Sequence, residues 1–270
     1  MVELDSLSTL AVLLVQVLLS VSVLLGLTSA VVIGPTRLRT LWREKRSRLR
    51  EALPYLALLV SVLVVNKFIR DVVPEVSWLI GLNVTSYIYS LEGATVADIQ
   101  SVTMPGLTAY FSFVYVVGYV FLLIFPFLAY LALQDLRPLK RTALAYALNY
   151  SIGLLLYALF ISYGPRNLIP DLVDPLLYST YPQTQILTSK VNTNTNVFPS
   201  LHTSLSVTAA ALAWQTREEY PIWLAVATLF AVSITLATMY LGIHWATDVV
   251  VGVALGLACV ELATWYVDRE

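Results

Sequence analysis

Residues 8–50 read STLAVLLVQVLLSVSVLLGLTSAVVIGPTRLRTLWREKRSRLR. The stretch joins an apolar run at 8–33 to a cluster of seven basic residues within 37–50. Because a helix needs about 20 mostly apolar residues to cross a bilayer, the run predicts a membrane span. Acidic Glu3 and Asp5 precede it, and it is too long for the apolar part of a cleavable signal peptide. The stretch therefore indicates an integral membrane protein that retains its first span.

The composition of the whole chain indicates the same class of protein. Of its 270 residues, 58% are hydrophobic and 12% are charged, and the mean hydropathy is +0.77. A soluble domain carries roughly 25% charged residues and could not hide so much apolar surface from water. The net charge of -1 and the pI of about 6.1 indicate no basic surface for nucleic acid. The single Cys259 excludes a disulfide scaffold.

Seven apolar runs predict seven membrane spans, although serine and threonine dilute the fifth and the second is short. The runs lie at about 8–33, 52–69, 108–132, 142–163, 200–215, 221–241 and 245–266. The predicted fold class is all-α, a polytopic membrane helix bundle.

The positive charges predict the orientation of these spans. Because basic residues flank spans on the cytoplasmic side, the cluster at 37–50 is predicted to be a cytoplasmic loop and the N-terminus to lie outside. Loops 133–141 and 216–220 and the C-terminus then fall inside, and each carries arginine. Loops 70–107 and 164–199 fall outside, and the first is predicted to contain a helix lying in the interface. The basic cluster also predicts contact with anionic membrane lipids.

Polar and ionisable groups at membrane depth are costly, so their positions indicate function. Three stretches collect such groups: Gly164-Pro165-Arg166-Asn167, Phe198-Pro199-Ser200-Leu201-His202, and Tyr240 through His244 to Asp248. The predicted topology places all three at the external ends of spans. The chain has only two histidines, His202 and His244, and both lie in these stretches. We therefore expect one site on the external face.

The residue types in these stretches suit phosphoryl transfer. His244 and Asp248 are four residues apart, which on a helix places both on one face. A carboxylate there fixes the imidazole tautomer and makes its free nitrogen more basic. Two histidines opposed across a reacting centre can act as nucleophile and general acid. Arg166 and the helix-start amides near Ser200 could hold a phosphate group, whose transfer depends mainly on positioning and charge neutralisation.

At these residues the sequence resembles the type 2 phosphatidic acid phosphatase superfamily. Members carry PSGH at the start of one core helix and SRxxxxxHxxxD after the next span. Pro199-Ser200-Leu201-His202 stands for the first pattern, and Ala237 to Asp248 stands for the second. The resemblance covers roughly residues 50–266 and implies a six-helix phosphatase-like core plus one N-terminal transmembrane helix. The implied regions are 1–50, an N-terminal helix with its basic loop, and 51–270, the phosphatase or phosphotransferase-like membrane domain.

The resemblance also implies a role for each site residue. His244 would attack phosphorus and form a phosphohistidine, Asp248 would orient it, and His202 would protonate the leaving oxygen. Arg166, with Ser200 and nearby amides, would neutralise the phosphate oxygens. The implied substrate is a lipid phosphate or diphosphate, and the scheme requires neither a metal nor a cofactor.

The sequence departs from the family at several positions. Leu201 replaces the family's glycine, and Thr238 replaces the second-motif arginine. Lys190 could substitute for that arginine or be a solvated loop charge, and Gly164-Pro165-Arg166 is the best remnant of the upstream KxxxxxxRP pattern. The stretch FPSLH looks more like the inositol phosphorylceramide synthase and sphingomyelin synthase branch, which moves a phosphorylated headgroup to a lipid alcohol. A lipid phosphatase and such a phosphotransferase therefore both stay open.

The residue types also leave other classes of protein open. Two histidines and an aspartate could ligate zinc, and two histidines could hold a haem. A transporter or channel would place polar residues near the bilayer midplane, where this chain carries almost no charge. Arg166, near the end of a span, could also act only as an interface anchor.

Overall fold

The protein is almost entirely helical, which confirms the predicted all-α class. The computed structural model describes residues 2–181, 185 and 196–270, with side chains from residue 10 onward except Thr180. In chain order the helices are α1 (Val2–Thr28), α2 (Gly34–Ile69), α3 (Val73–Ile80), α4 (Thr85–Glu92), α5 (Thr95–Gln100), α6 (Pro105–Phe113), α7 (Tyr119–Leu131), α8 (Arg137–Leu159), α9 (Pro165–Leu168), α10 (Leu176–Thr180), α11 (Leu201–Gln215), α12 (Pro221–Tyr240) and α13 (Ala246–Val267). π-Helical turns at Ser29–Ile33 and Val114–Gly118 join α1 to α2 and α6 to α7.

Within the described residues, five helical stretches are long and apolar enough to cross a membrane. They are Leu10–Ile69, Pro105–Leu131, Arg137–Leu159, Pro221–Tyr240 and Ala246–Val267. The protein is therefore an integral membrane protein. The first stretch, of 60 residues, contains the first two predicted spans, and the other four match the third, fourth, sixth and seventh. The number of spans and their orientation stay predictions.

The fifth predicted span corresponds to α11, which has only 15 residues and lies at the centre of the bundle. It packs against α7, α8, α12 and α13. Its polar side chains bond inside the protein: the Ser204 hydroxyl donates to Asn149 Oδ1, and the Thr208 hydroxyl donates to the Ser204 carbonyl at 2.8 Å. Because neighbouring helices enclose α11, it does not need the apolar surface of a lipid-facing helix. This position explains its weak hydropathy.

The basic cluster is helical, so the expectation of a loop over 37–50 was wrong. It forms the first part of α2, which begins at Gly34, where φ is 77°. Arginine and lysine are good helix formers, and Pro35 fits the first helical turn. Arg48 docks this segment by donating to the carbonyls of Leu131 and Leu133. The regional boundary expected at residue 50 falls inside α2, and the division into two regions stays a prediction.

The two ends of the bundle differ chemically. At one end Arg37 pairs with Glu219 at 2.7 Å, and Arg141 at the start of α8 pairs with Asp268 just after α13. At the other end the chain segments after α8 and α12 meet those before α11 and α13. Strand β1 (Leu82–Asn83) pairs in parallel with β2 (Phe160–Ile161) at this second end. The segment 70–107 forms α3, α4 and α5 there, so the helix predicted in it is present, whereas its location in the interface stays a prediction.

Candidate active site

The structure brings the first and third polar stretches into contact. The backbone amide of Arg166 donates to the carbonyl of Gly242 at 3.2 Å. A Cβ atom at Gly164 would lie 2.4 Å from the carbonyl oxygen of Ile243, so this approach of two backbones requires glycine. The loop that carries Arg166 is thereby fixed against the turn that carries the second histidine.

The second polar stretch joins the same cluster. The amide of Ser200, before α11, donates to the carbonyl of Asp248 in α13 at 3.0 Å. The indole Nε1 of Trp245 donates to the carbonyl of Tyr163 at 2.8 Å, which links the start of α13 to the segment after α8. The three stretches therefore meet at one end of the bundle, as the sequence predicted.

His244 and Asp248 form a buried pair. Imidazole Nδ1 lies 3.3 Å from Oδ2 of Asp248, which also accepts the backbone amide of Trp245 at 2.9 Å. His244 is 4% exposed and Asp248 is fully buried. Because a carboxylate accepts, we assign the imidazole proton to Nδ1, which leaves Nε2 with its lone pair available. The predicted contact is present, but α13 begins at Ala246, so the pair forms across a helix start instead of along one helical face.

A tight turn presents His244 to the site. The amides of Ile243 and His244 both donate to the carbonyl of Thr238 at 3.0 Å, and Gly242 has a φ of 71°. Thr238, which stands where the family's arginine is expected, is fully buried, and its hydroxyl donates to the Thr235 carbonyl at 2.7 Å. Thr238 therefore closes the turn through its backbone carbonyl and brings no positive charge to the site.

The other predicted acid–base residue, His202, lies between aromatic rings in the first turn of α11. Its imidazole stacks on Tyr115 with ring centroids 4.4 Å apart, and Tyr119 lies at 4.3 Å. His202 is half-buried and lies within electrostatic range of His244 and Arg70. The two histidines thus occupy the same part of the molecule, as predicted, with His202 in α11 and His244 in the turn between α12 and α13.

Ser200 is the N-cap of α11. Its buried hydroxyl oxygen accepts the amide of Thr203 at 3.3 Å, which satisfies one of the free donors at the helix start. The hydroxyl hydrogen can still be donated to another group. The contact with phosphate that the resemblance implies for this serine stays a prediction.

One nitrogen of the Arg166 guanidinium lacks a hydrogen-bond partner within the described part of the chain. Its Nη2 donates to the hydroxyl of Tyr178 at 3.1 Å, and its guanidinium carbon lies 4.5 Å from the centre of the same ring. Its Nη1 is buried and has no partner among the described residues. The positive charge of Arg166 is close enough to interact electrostatically with Tyr115. The ring of Tyr115 is the one that stacks on His202. Because an unpaired buried donor is costly, this nitrogen is well suited to an anionic ligand.

Glu92 was not singled out from the sequence, although it contacts the site. Its carboxylate accepts the backbone amides of Ala246, at 2.8 Å, and Thr247. The only sequence signal was its place in a loop predicted on the same side as the histidines, and Asp71, Glu75 and Asp98 share that signal. Lys190, the proposed substitute for the missing arginine, lies outside the described residues.

The zinc alternative gains no support from the geometry. Within the part of the chain that the structure describes, no group of three or more His, Cys, Asp and Glu residues could hold a metal ion. Oδ2 of Asp248 is engaged by the imidazole of His244 and by a backbone amide, whereas Oδ1 has no partner among the described residues.

The fold and the site define an all-helical integral membrane protein with a buried histidine–aspartate pair at one end of the bundle. The family model described as the PAP2 superfamily matches residues 87–262, more than half of the chain. The protein belongs to this superfamily, which confirms the resemblance drawn from the motifs; the match begins in α4 instead of near residue 50. The chain matches no curated protein and no solved structure.

Proposed function

We propose that the protein is a membrane-embedded phosphatase that hydrolyses lipid phosphates or diphosphates through a phosphohistidine at His244. Membership of the PAP2 superfamily supports a phosphatase-like function. The observation that carries the proposal is the buried contact between His244 Nδ1 and Asp248 Oδ2, which leaves Nε2 as the reactive nitrogen. This arrangement supports nucleophilic catalysis by histidine.

In the first step Nε2 of His244 attacks phosphorus. A phosphorus–nitrogen bond forms, the bond from phosphorus to the leaving oxygen breaks, and that oxygen takes the proton that His202 would carry once the anionic phosphate is bound. Asp248 stabilises the positive charge that develops on the imidazole. In the second step water attacks phosphorus and gives a proton to His202, while the phosphorus–nitrogen bond breaks. The products are the lipid alcohol, or the shortened phosphate, and inorganic phosphate.

The phosphate oxygens carry negative charge that the site must neutralise. Arg166 is assigned this role because its buried Nη1 has no partner among the described residues and its loop is bonded to Gly242, two residues before His244. Ser200 is assigned a hydrogen bond from its hydroxyl. Lys190 is proposed as a further cation.

A second candidate function is transfer of the phosphorylated headgroup to a lipid alcohol. It is favoured by Leu201, which stands at the place of the family's glycine in a stretch resembling the inositol phosphorylceramide synthase branch. A Cβ at Gly153 of α8 would lie 2.5 Å from a Leu201 methyl carbon, so this glycine makes room for the leucine. An alcohol oxygen would then replace water in the second step, with the same two histidines.

We propose that the site faces the external side. The histidines lie at the end of the bundle opposite the ion pairs of Arg37 and Arg141. Basic residues favour the cytoplasmic side, which supports an external active site and a cytoplasmic C-terminus.

The experiment uses purified protein in detergent with phosphatidic acid, phosphatidylinositol and polyprenyl diphosphates, with and without a lipid alcohol. We expect the wild type to release phosphate and His244→Ala to lose this activity. Asn167→Ala, an exposed change beside Arg166, should retain it. Activity in folded His244→Ala would contradict the nucleophile, whereas a labelled headgroup on the alcohol would favour the second candidate.

A further inference from the structure

We propose that Glu92 is a positioning residue that holds the turn carrying His244 in its reactive geometry. The proposal rests on the proposed function, because it assigns Glu92 a part in the same reaction. Glu92 ends α4 and is half-buried. Its Oε2 accepts the amide of Ala246 at 2.8 Å, and its Oε1 accepts the amide of Thr247.

These two amides are the first of α13 and have no partner inside the helix. The preceding amide, of Trp245, is taken by Asp248 Oδ2 at 2.9 Å. Two carboxylates therefore bind the amides at this helix start: Asp248 accepts from Trp245, and Glu92 accepts from Ala246 and Thr247. Because His244 lies only two residues before Ala246, a shift of the helix start would move the imidazole with it.

The packing of α4 supports this function of Glu92. Buried Ile88 fixes one side of α4, and the ring of Tyr89 lies 6.0 Å from the ring of Trp245. The chain then turns at Gly93, where φ is 56°, which leaves Glu92 at the end of the helix. Tyr89 and Glu92 thus both contact the residues that follow His244. Helix α4 therefore packs against the start of α13 and restricts its movement.

The negative charge of Glu92 also affects where the phosphate group of a substrate can bind. A carboxylate is favoured at a helix N-terminus by the helix dipole. With Glu92 and Asp248 bound to the amides there, this end of α13 already holds two carboxylates and repels a phosphate. We therefore expect an incoming phosphate to bind away from this helix start, with the buried Nη1 of Arg166, which has no partner among the described residues, as its donor.

The test compares Glu92→Ala, which loses both hydrogen bonds, with Glu92→Gln, which keeps one acceptor oxygen. Because small displacements of catalytic groups are costly, we expect kcat to fall about 100-fold in Glu92→Ala and about tenfold in Glu92→Gln, with KM within twofold of wild type. Hydrogen exchange of peptides spanning 244–249 should be faster in both variants. The control is Asp98→Asn, which changes an exposed acid in α5, the helix that follows α4. This variant should leave every measurement unchanged.

The two readouts separate the outcomes. If the wild type is active and both Glu92 variants retain its kcat, the positioning role is wrong, although the proposed function stands. If kcat falls but Glu92→Gln gives no partial rescue and exchange is unchanged, the positioning role is also wrong. If the wild type acts on no phosphorylated lipid, the proposed function fails, and the exchange rates alone decide whether Glu92 holds this turn.

Discussion

Replacement of Asp248 by asparagine removes a buried negative charge and keeps the shape of the side chain. The asparagine carbonyl can still accept the amide of Trp245, which lies 2.9 Å from Oδ2 in the wild type, so the start of α13 is retained. The imidazole of His244 loses an anionic partner at 3.3 Å. We therefore expect Asp248→Asn to fold and to react slowly.

The size of the effect follows from the charge that His244 acquires. A nucleophilic imidazole must be uncharged before it attacks, and it becomes positive when Nε2 bonds to phosphorus, so its attraction to Asp248 strengthens in the transition state. At 3.3 Å and an effective dielectric constant of about 20, two unit charges attract by about 5 kcal/mol. Because the positive charge spreads over the ring and lies farther away on average, we take about 4 kcal/mol, which corresponds to about a thousandfold in kcat.

The assay measures phosphate release at saturating substrate, together with the melting temperature of each variant in detergent. The matched control is Asp268→Asn, which makes the same substitution at the opposite end of α13. Asp268 is exposed and pairs with Arg141, and such pairs contribute little to stability. The control should keep the kcat of the wild type. A folded Asp248→Asn with a kcat within tenfold of wild type would refute the assignment of His244 as a charge-assisted nucleophile.

Three further predictions test other parts of the molecule. Arg166→Lys keeps the charge but loses the planar fork, and kcat/KM should fall about 100-fold; an unchanged value would argue against phosphate binding there. In Gly256→Ala the new Cβ would lie 2.4 Å from a carbonyl oxygen of α11, so we expect about 1–3 kcal/mol of destabilisation and a lower melting temperature. Gly26→Ala, with no atom within 4 Å, should not lower it. Cysteines introduced as Asp171→Cys and Arg43→Cys should react with an impermeant maleimide from opposite sides of the membrane, and reaction from one side would overturn the orientation.

The sequence predicted the membrane class and most of the long helices because hydropathy is a local property. Each of four apolar runs corresponds to one stretch of the structure that is long enough to cross a bilayer. Hydropathy was a poor guide to α11, because a helix enclosed by other helices can be rich in serine and threonine. It was also a poor guide to the basic segment 37–50, where charge was read as a loop although arginine and lysine are good helix formers.

The sequence also predicted which polar stretches form the candidate site, because histidine is rare in this chain and polar groups are costly in a membrane. It did not predict how His244 reaches Asp248. That contact depends on the turn closed by the Thr238 carbonyl and on a helix that begins at Ala246. Spacing alone could not distinguish this arrangement from two residues on one face of a continuous helix.

The sequence by itself determined the class of protein and the family, and it predicted which side chains are candidates for reaction, because these depend on residue type and on spacing along the chain. Only the tertiary structure revealed that Glu92 binds the start of α13, that Arg166 keeps a buried nitrogen without a partner among the described residues, and that Thr238 contributes only backbone. The first of these features depends on a contact between segments about 150 residues apart. Such contacts follow from the packing of the helices, and no local pattern in the chain encodes them.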